Sequence, residues 1–245
     1  MQKQEYKIME DFEKEYWWHL GKRHLIKKLM GEYFTRKRLN ILEVGCGTGE
    51  LTQLLQKHHN VMGIDVAQEA IDTCKARGIT DVYNKDILEL DTSKLKEKFD
   101  LVLALDVLEH IQEDVEAMKV INLLLKRDGY FFVNVPAHKF LWSGHDEALR
   151  HKRRYTMYEL VQKLELSSFK IARKSYFVSF VFPIIFLYRT WGNLFNKRAY
   201  PKTSYVVLPR FANNFLTKLL KLEVSLMKFM NLKFGTTITV VAKKG

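Results

Sequence analysis

Cysteine is scarce in this chain of 245 residues. Its two cysteines fall in a glycine-rich loop, at Cys46, and on a predicted helix, at Cys74. A framework of disulfide bonds is therefore not expected, and a reducing, cytoplasmic setting fits the composition. Residues 1–18 are charged and lack an apolar core, so they do not predict a signal peptide.

Acidic residues are scarce after position 136. Residues 1–136 contain 20 Lys and Arg against 23 Asp and Glu, whereas residues 137–245 contain 20 against 5. The net charge of +12 therefore belongs to the C-terminal part. Such a surface predicts an acidic partner, namely an anionic lipid, a phosphorylated substrate or a nucleic acid, unless it serves solubility alone.

Long apolar runs are also missing. Residues 177–188 form an apolar stretch of 12 residues before Arg189, interrupted by Ser179 and Pro183. This length is short for a membrane span and typical of an interfacial or buried segment. The hydrophobic fraction of 47% nevertheless supports a sizeable core, and the chain length predicts one domain with insertions.

A glycine-rich stretch organises the rest of the chain. Gly45, Gly47 and Gly49 follow an apolar run, residues 39–44, and precede a helical pattern, residues 51–55. A strand, a glycine turn and a helix in this order bring the backbone close to a bound nucleotide, because glycine has no Cβ and tolerates positive φ.

The loop departs from the dinucleotide fingerprint G-x-G-x-x-G, because Glu50 stands where the last glycine belongs. Glu43, two residues before Gly45, adds a second carboxylate. Two carboxylates disfavour a bound phosphate and favour a cationic ligand. At the end of the next predicted strand, Asp65 is placed to accept hydrogen bonds from the two hydroxyls of a ribose.

Further predicted elements complete an α/β pattern. A helix is predicted at 69–77, a third strand at 81–85 and a fourth at 99–105. A helix at 113–125 and a turn at 127–129 then precede a fifth strand at 130–135. The last two predicted strands are 170–177 and 236–242.

Two motifs carry a family resemblance. E-V-G-C-G-T-G, residues 43–49, resembles motif I of class I S-adenosylmethionine-dependent methyltransferases. F-D-L-V-L-A-L-D-V-L-E-H, residues 99–110, resembles the motif after strand 4 of small-molecule methyltransferases, including quinone O-methyltransferases. The resemblance implies S-adenosyl-L-methionine as cofactor and S-adenosyl-L-homocysteine as product. It also implies a Rossmann-like, seven-stranded α/β sheet with strands 1–5 parallel and an antiparallel hairpin of strands 6 and 7.

The resemblance extends to an N-terminal helical cap, residues 1–38, in which Y-W-W-H at 16–19 precedes Arg23. The methyltransferase domain is then expected at 39–245. Cofactor contacts are expected from Trp18, Arg23, Glu43, Gly45, Cys46, Gly47, Gly49, Asp65, Val66, Asp86, Ile87, Leu105 and His110. Trp17 and Trp18 are also consistent with ordinary core anchors.

The stretch from 137 to 156 follows strand 5, where ligands bind in open parallel sheets. Candidate acceptor-side residues are His145, Asp146, His151 and Arg154. A histidine there is suited to remove a hydroxyl proton, and Arg153 or Arg154 to hold a phosphate or carboxylate. Thr156 and Glu159 predict a helix capping box. No metal site is expected, because thiolates are absent and the ligands of Mg-dependent catechol methylases are half matched.

An insertion of about 178–235 separates strands 6 and 7. Residues 211–234 predict a basic amphipathic helix, with Lys218, Lys221 and Lys228 on its polar side. Such a helix lies on an anionic membrane surface, forms a lid or packs in the core, and the sequence leaves these alternatives open.

The expected activity is methyl transfer, most simply O-methylation, to an amphipathic or lipid-linked small molecule such as a quinone, a glycolipid or a glycan intermediate. The expected location is cytoplasmic, with peripheral attachment to the inner face of the membrane as a further expectation. Nucleic acid is not an expected partner, because the N-P-P-Y or D-P-P-Y motif of amino-methylases is absent. An RNA methylase and a non-catalytic cofactor-binding scaffold remain the alternatives.

Overall fold

The computed structural model describes residues 10, 12–35, 38–195 and 207–245. Seven strands form one sheet: β1 (Asn40–Val44), β2 (Asn60–Asp65), β3 (Val82–Asn84), β4 (Phe99–Leu105), β5 (Leu125–Pro136), β6 (Phe169–Phe177) and β7 (Thr237–Lys244). Nine α-helices are described: α1 (Trp17–Tyr33), α2 (Glu50–Gln56), α3 (Gln68–Ala76), α4 (Thr92–Leu95), α5 (Asp114–Leu124), α6 (Gly144–Ala148), α7 (Met157–Leu166), α8 (Phe182–Phe195) and α9 (Arg210–Met227).

The strand order is β3-β2-β1-β4-β5-β7-β6. Strands β1 to β5 pair in parallel, and β7 runs antiparallel to both β5 and β6. This topology confirms the predicted fold class. Because β1 and β4 are neighbours while their connections leave in opposite directions, their carboxyl ends flank a crevice of the kind that binds ligands in α/β sheets.

Both faces of the sheet are covered, which explains why the central strands are continuous apolar runs. All seven residues of β4 are buried. Val102 and Ala104 belong to the core under α5 and α7, whereas Leu101 and Leu103 belong to the core under α1 and α9. The alternation follows from the two-residue period of a strand.

The turn predicted at 127–129 is wrong, because these residues lie within β5, which begins at Leu125 rather than at 130. Phe99 pairs with Leu125 but Leu101 pairs with Tyr130, so the intervening residues bulge out of the ladder. The pair Asp128-Gly129 is typical of a bulge as well as of a turn, because both need a local change of backbone direction.

Helix α1 of the predicted N-terminal cap runs without a break from Trp17 to Tyr33, through Gly21. Gly21 allows α9 to approach: a Cβ on Gly21 would lie 2.3 Å from Cδ1 of Leu220. The amphipathic helix predicted to reach 234 ends at Met227. Helix α1 of the cap and helix α9 of the insertion therefore pack against each other on the sheet.

We expect Gly21→Ala to destabilise the protein by about 1–3 kcal/mol, the usual cost of overpacking a filled contact. Gly31→Ala in the same helix is the matched control, because nothing lies within 4 Å of its Cβ position. That control is expected to be neutral or stabilising by up to about 1 kcal/mol. Chemical denaturation of both variants measures the difference; equal stabilities would show that the close approach of α1 and α9 is not tight.

None of the helices in the described ranges is both long enough and apolar enough to cross a lipid bilayer. The apolar segment 177–188 runs from the end of β6 into the start of α8. Phe177, Val178 and Val181 are buried in the core under α1 and α9, whereas Ile184 and Leu187 are exposed.

Candidate functional site

A cavity of about 810 Å³ opens at the carboxyl ends of β1, β2 and β4. The glycine loop, the start of the N-terminal cap, the segment after β4 and the segment after β5 all contribute to its wall. Twelve of the predicted cofactor residues line it: Trp18, Arg23, Glu43, Gly45, Cys46, Gly47, Asp65, Val66, Asp86, Ile87, Leu105 and His110. Its volume is within the range of small-molecule sites.

Gly49 is the predicted cofactor residue that does not line this cavity. It precedes α2 in a left-handed conformation, with φ of +83°, and a Cβ there would lie 2.6 Å from Cys74 Sγ. Gly49 therefore serves the packing of the loop against α3. Gly45 and Gly47 also have positive φ, of +68° and +54°, and they form the part of the loop that faces the cavity.

Asp65 fixes the loop from the neighbouring strand. Its carboxylate accepts a hydrogen bond from the backbone N–H of Gly47 at 2.9 Å and another from Ala67 N–H at 2.9 Å. The backbone of Gly47 is thus held at the cavity wall beside the tip of β2. The same carboxylate borders the cavity, where the predicted contact with a ribose would occur.

Glu43 lies beneath the loop at the end of β1. Its carboxylate is buried and accepts a hydrogen bond from Thr52 Oγ1 at 2.5 Å. Burial raises the pKa of Glu43 to about 7, although the bond from Thr52 acts to lower it. A cationic ligand in the cavity would favour the ionised form, so cofactor charge and Glu43 ionisation support each other.

The cap is attached to this loop by ion pairs. Arg23 pairs with Glu50 and also donates to the backbone carbonyl of Glu13 at 2.8 Å. Lys22 pairs with Asp106 at 3.0 Å and lies 4.1 Å from the ring centroid of Trp18. Because these cations meet acids of the loop and of the segment after β4, α1 covers the cofactor side of the cavity.

Asp146, a predicted acceptor-side residue, holds the segment after β5 together without lining the cavity. It is completely buried, accepts from Arg154 Nε at 2.7 Å and pairs with His151 Nδ1 at 2.8 Å. Burial acts to raise its pKa, but the hydrogen bond from His151 and the charge of Arg154 hold the pKa of Asp146 well below its ordinary value. Asp146 is therefore a fixed anion that orients His151 and Arg154, and both of these border the cavity.

Four histidines of the described residues border the cavity: His19 on α1, and His110, His145 and His151 after β4 and β5. Burial, reinforced by the charge of Arg189, lowers the pKa of His145 to about 3. Burial, reinforced by nearby His151, lowers the pKa of His110 to about 4. Both are therefore weak bases. His151 lies between two carboxyl groups, with Nδ1 2.8 Å from Asp146 Oδ1 and Nε2 4.0 Å from Glu109 Oε1.

Glu109 was not a predicted site residue, yet it adjoins two of these histidines. It is fully buried, and neither carboxylate oxygen has a hydrogen-bond partner among the described residues. Burial, together with the charge of Asp106, raises the pKa of Glu109 well above its ordinary value. Glu109, His110 and His151 present donor atoms within 4.8 Å of one another. This group could hold a divalent cation, although the sequence predicted no metal.

The paired arginines are engaged within the protein. Arg153 pairs with Asp114 at 3.1 Å, and Arg154 donates to the backbone carbonyl of Ala137 at 2.9 Å as well as to Asp146. Arg150 and Lys152, which the sequence did not single out, are exposed at the cavity wall. Those two are the better-placed cations for an anionic group on an acceptor.

Comparison with known proteins agrees with this site. A family model described as a methyltransferase domain matches residues 35–197. The ubiquinone biosynthesis O-methyltransferase of Actinobacillus pleuropneumoniae is 31% identical over 123 residues, 44% of this chain and 53% of that protein. This chain therefore spans about half the length of that curated relative.

Solved structures share the fold. A SAM-dependent methyltransferase from Archaeoglobus fulgidus superposes with a TM-score of 0.55 and 18% identity, covering 91% of this chain and 94% of that one. The 1,6-didemethyltoxoflavin-N1-methyltransferase of Burkholderia thailandensis, with bound S-adenosylhomocysteine, superposes with a TM-score of 0.54 and 17% identity. The match covers 92% of this chain and 77% of that one.

The glycine loop, the acid at the tip of β2 and the sheet order define a class I S-adenosylmethionine-dependent methyltransferase. The chain belongs to the methyltransferase-domain family, and its cofactor is S-adenosyl-L-methionine.

Proposed function

We propose that this protein transfers a methyl group from S-adenosylmethionine to a hydroxyl oxygen of an amphipathic small molecule. The observation that carries the proposal is the Asp146–His151 pair, in which a buried carboxylate 2.8 Å from Nδ1 orients a histidine at the cavity wall. The curated relative named as a ubiquinone biosynthesis O-methyltransferase supports oxygen as the methylated atom.

The proposal needs one tautomer of His151. In it, Nδ1 donates to Asp146 at 2.8 Å, and Nε2, which lies 4.0 Å from Glu109 Oε1, offers its lone pair to the acceptor. When bound, S-adenosylmethionine supplies an electrophilic methyl group on a sulfonium. His151 Nε2 would take the proton of the acceptor hydroxyl, whose oxygen would receive that methyl group and leave S-adenosylhomocysteine as the second product. Asp146 stabilises the imidazolium that forms.

The cavity wall combines apolar and cationic side chains beside His151. Leu149, Val178 and Ile185 supply apolar surface, and Arg150 and Lys152 supply positive charge. An acceptor with a hydrophobic body and an anionic group matches this combination. The wall therefore supports an amphipathic acceptor, and a polyprenylated or acylated phenol is the simplest molecule of that description.

The test is a methylation assay with isotopically labelled S-adenosylmethionine and three matched acceptors, read by mass spectrometry. A phenol with a long alkyl tail is expected to be labelled, whereas its analogue that lacks the hydroxyl is expected to carry no label, because it has no oxygen to accept the methyl group. Label on the corresponding amine alone would overturn oxygen as the acceptor atom. Label on added tRNA alone would favour the RNA methylase, and cofactor binding without any label would favour the scaffold.

A further inference from the structure

Helix α9 has two apolar faces, and the core uses one of them. Leu220, Val224 and Met227 are buried against the sheet and α1. On the opposite side, Phe211 and Phe215 are 77% and 64% exposed.

Two further residues extend this second, exposed apolar face. Leu222 is 54% exposed, and Phe229, just beyond the helix end, is 81% exposed. Positions 211, 215, 222 and 229 are spaced by four, seven and seven residues, which keeps them on one side of a helix. These four residues are the outer ridge. Large apolar side chains exposed along one side of a helix are typical of an interaction surface.

The charges around the outer ridge have one sign. Lys218 lies within it, and Arg210 and Lys221 are exposed beside it. Residues 178–235 contain nine Lys and Arg but a single acid, Glu223. Glu223 is completely buried, where it accepts hydrogen bonds from the backbone N–H groups of Ser179 and Phe180. The exposed charge of this region in the described residues is therefore entirely positive.

We propose that the outer ridge docks on an anionic lipid surface. Phenylalanine and leucine side chains insert at the boundary of headgroups and acyl chains, and the flanking lysines and arginine attract the anionic headgroups. A second copy of this chain fits less well, because a symmetric contact through the ridge would bring two Lys218 ammonium groups together.

Helix α8, which belongs to the same insertion as the outer ridge, forms part of the cavity wall. Its residues Ile185 and Arg189 line the cavity wall, and the neighbouring Ile184 is 67% exposed. The same insertion that carries the outer ridge thus forms part of the acceptor side. Delivery of a lipid-like acceptor by this route rests on the proposed function, whereas lipid binding itself is independent of it.

The experiment is sedimentation with vesicles of phosphatidylcholine, with and without phosphatidylglycerol, at low and high salt. The full chain is expected to bind the phosphatidylglycerol vesicles at low salt and to be released by high salt. Lys218→Glu with Lys221→Glu is expected to weaken binding about tenfold or more, because each lysine near the surface contributes roughly a fivefold factor. Phe211→Ser with Phe215→Ser is expected to weaken it by at least as much.

Two control variants match these changes elsewhere on the surface. Lys96→Glu with Lys98→Glu alters the net charge equally, and Tyr158→Ser with Leu166→Ser removes equally exposed apolar side chains from α7. Both are expected to bind vesicles like the unaltered protein. Binding of S-adenosylhomocysteine by every variant verifies folding.

Three results would overturn the proposal: no binding of the unaltered protein to anionic vesicles, equal binding by the ridge variants, or concentration-dependent dimerisation that the ridge variants abolish. Because no methyl transfer is measured, these results are separate from a failure of the proposed function.

Discussion

Gly47→Val is expected to abolish binding of S-adenosylmethionine and its product. Gly47 has φ of +54°, its N–H bonds to Asp65, and it lines the cavity. A β-branched residue at this φ carries about 1–3 kcal/mol of backbone strain, and its side chain would occupy space needed by the ligand. We expect a loss of affinity for S-adenosylhomocysteine of about 100-fold or more, equivalent to roughly 3 kcal/mol, in calorimetric titration.

Gly78→Val is the matched control for this experiment. Gly78 has φ of +80°, nothing lies within 4 Å of its Cβ position, and it does not border the cavity. Both variants are expected to lose thermal stability through strain, but only Gly47→Val is expected to lose affinity. Unchanged affinity in a folded Gly47→Val protein would contradict the assignment of the glycine loop to the cofactor.

His151→Ala is expected to reduce kcat by about 100- to 10,000-fold, the contribution of a positioned general base. Binding of S-adenosylhomocysteine is expected to stay close to normal, because His151 lies on the acceptor side. Asp146→Asn is expected to reduce kcat as well, since an amide cannot stabilise the imidazolium. Rates on the phenolic acceptor and calorimetric affinities for the cofactor product measure both effects.

His58→Ala is the control, because His58 is an exposed histidine outside the cavity. A further arm adds a chelator and then Mg²⁺ or Zn²⁺ to the unaltered enzyme. Activity that is lost and restored in this way would mean that Glu109, His110 and His151 act through a cation. Full turnover by His151→Ala, with or without added metal, would exclude His151 from the chemistry.

The sequence predicted the sheet, and twelve of the proposed cofactor residues line one cavity, because both signals are local. The run at 99–105 is almost entirely apolar because both faces of β4 are buried. The spacing of Gly45, Gly47 and Gly49 marks the three loop positions where φ is positive. Gly49 was assigned to the cofactor because spacing alone cannot separate a glycine that faces a ligand from one that packs on a helix.

The sequence could suggest candidate residues for the acceptor side, but it could not show how their side chains are arranged. His151 and Asp146 were both candidates, yet their distinct roles depend on how the segment after β5 folds around a buried carboxylate. Glu109 was missed because it meets His151 only in three dimensions. An acid placed between apolar residues, directly after a buried strand, was the signal available for it.

The packing of α1 on α9 has a consequence for synthesis of the chain. Trp17 N–H donates to Asn213 Oδ1 at 2.8 Å, a bond between residues 196 positions apart, and β7 completes the sheet between β5 and β6. A ribosome releases α1 long before α9, so the apolar face that carries Leu25 and Leu29 emerges without its final partner. Contacts of such long range also slow folding. The packed pair of α1 and α9 therefore forms only after the chain has been translated through Met227.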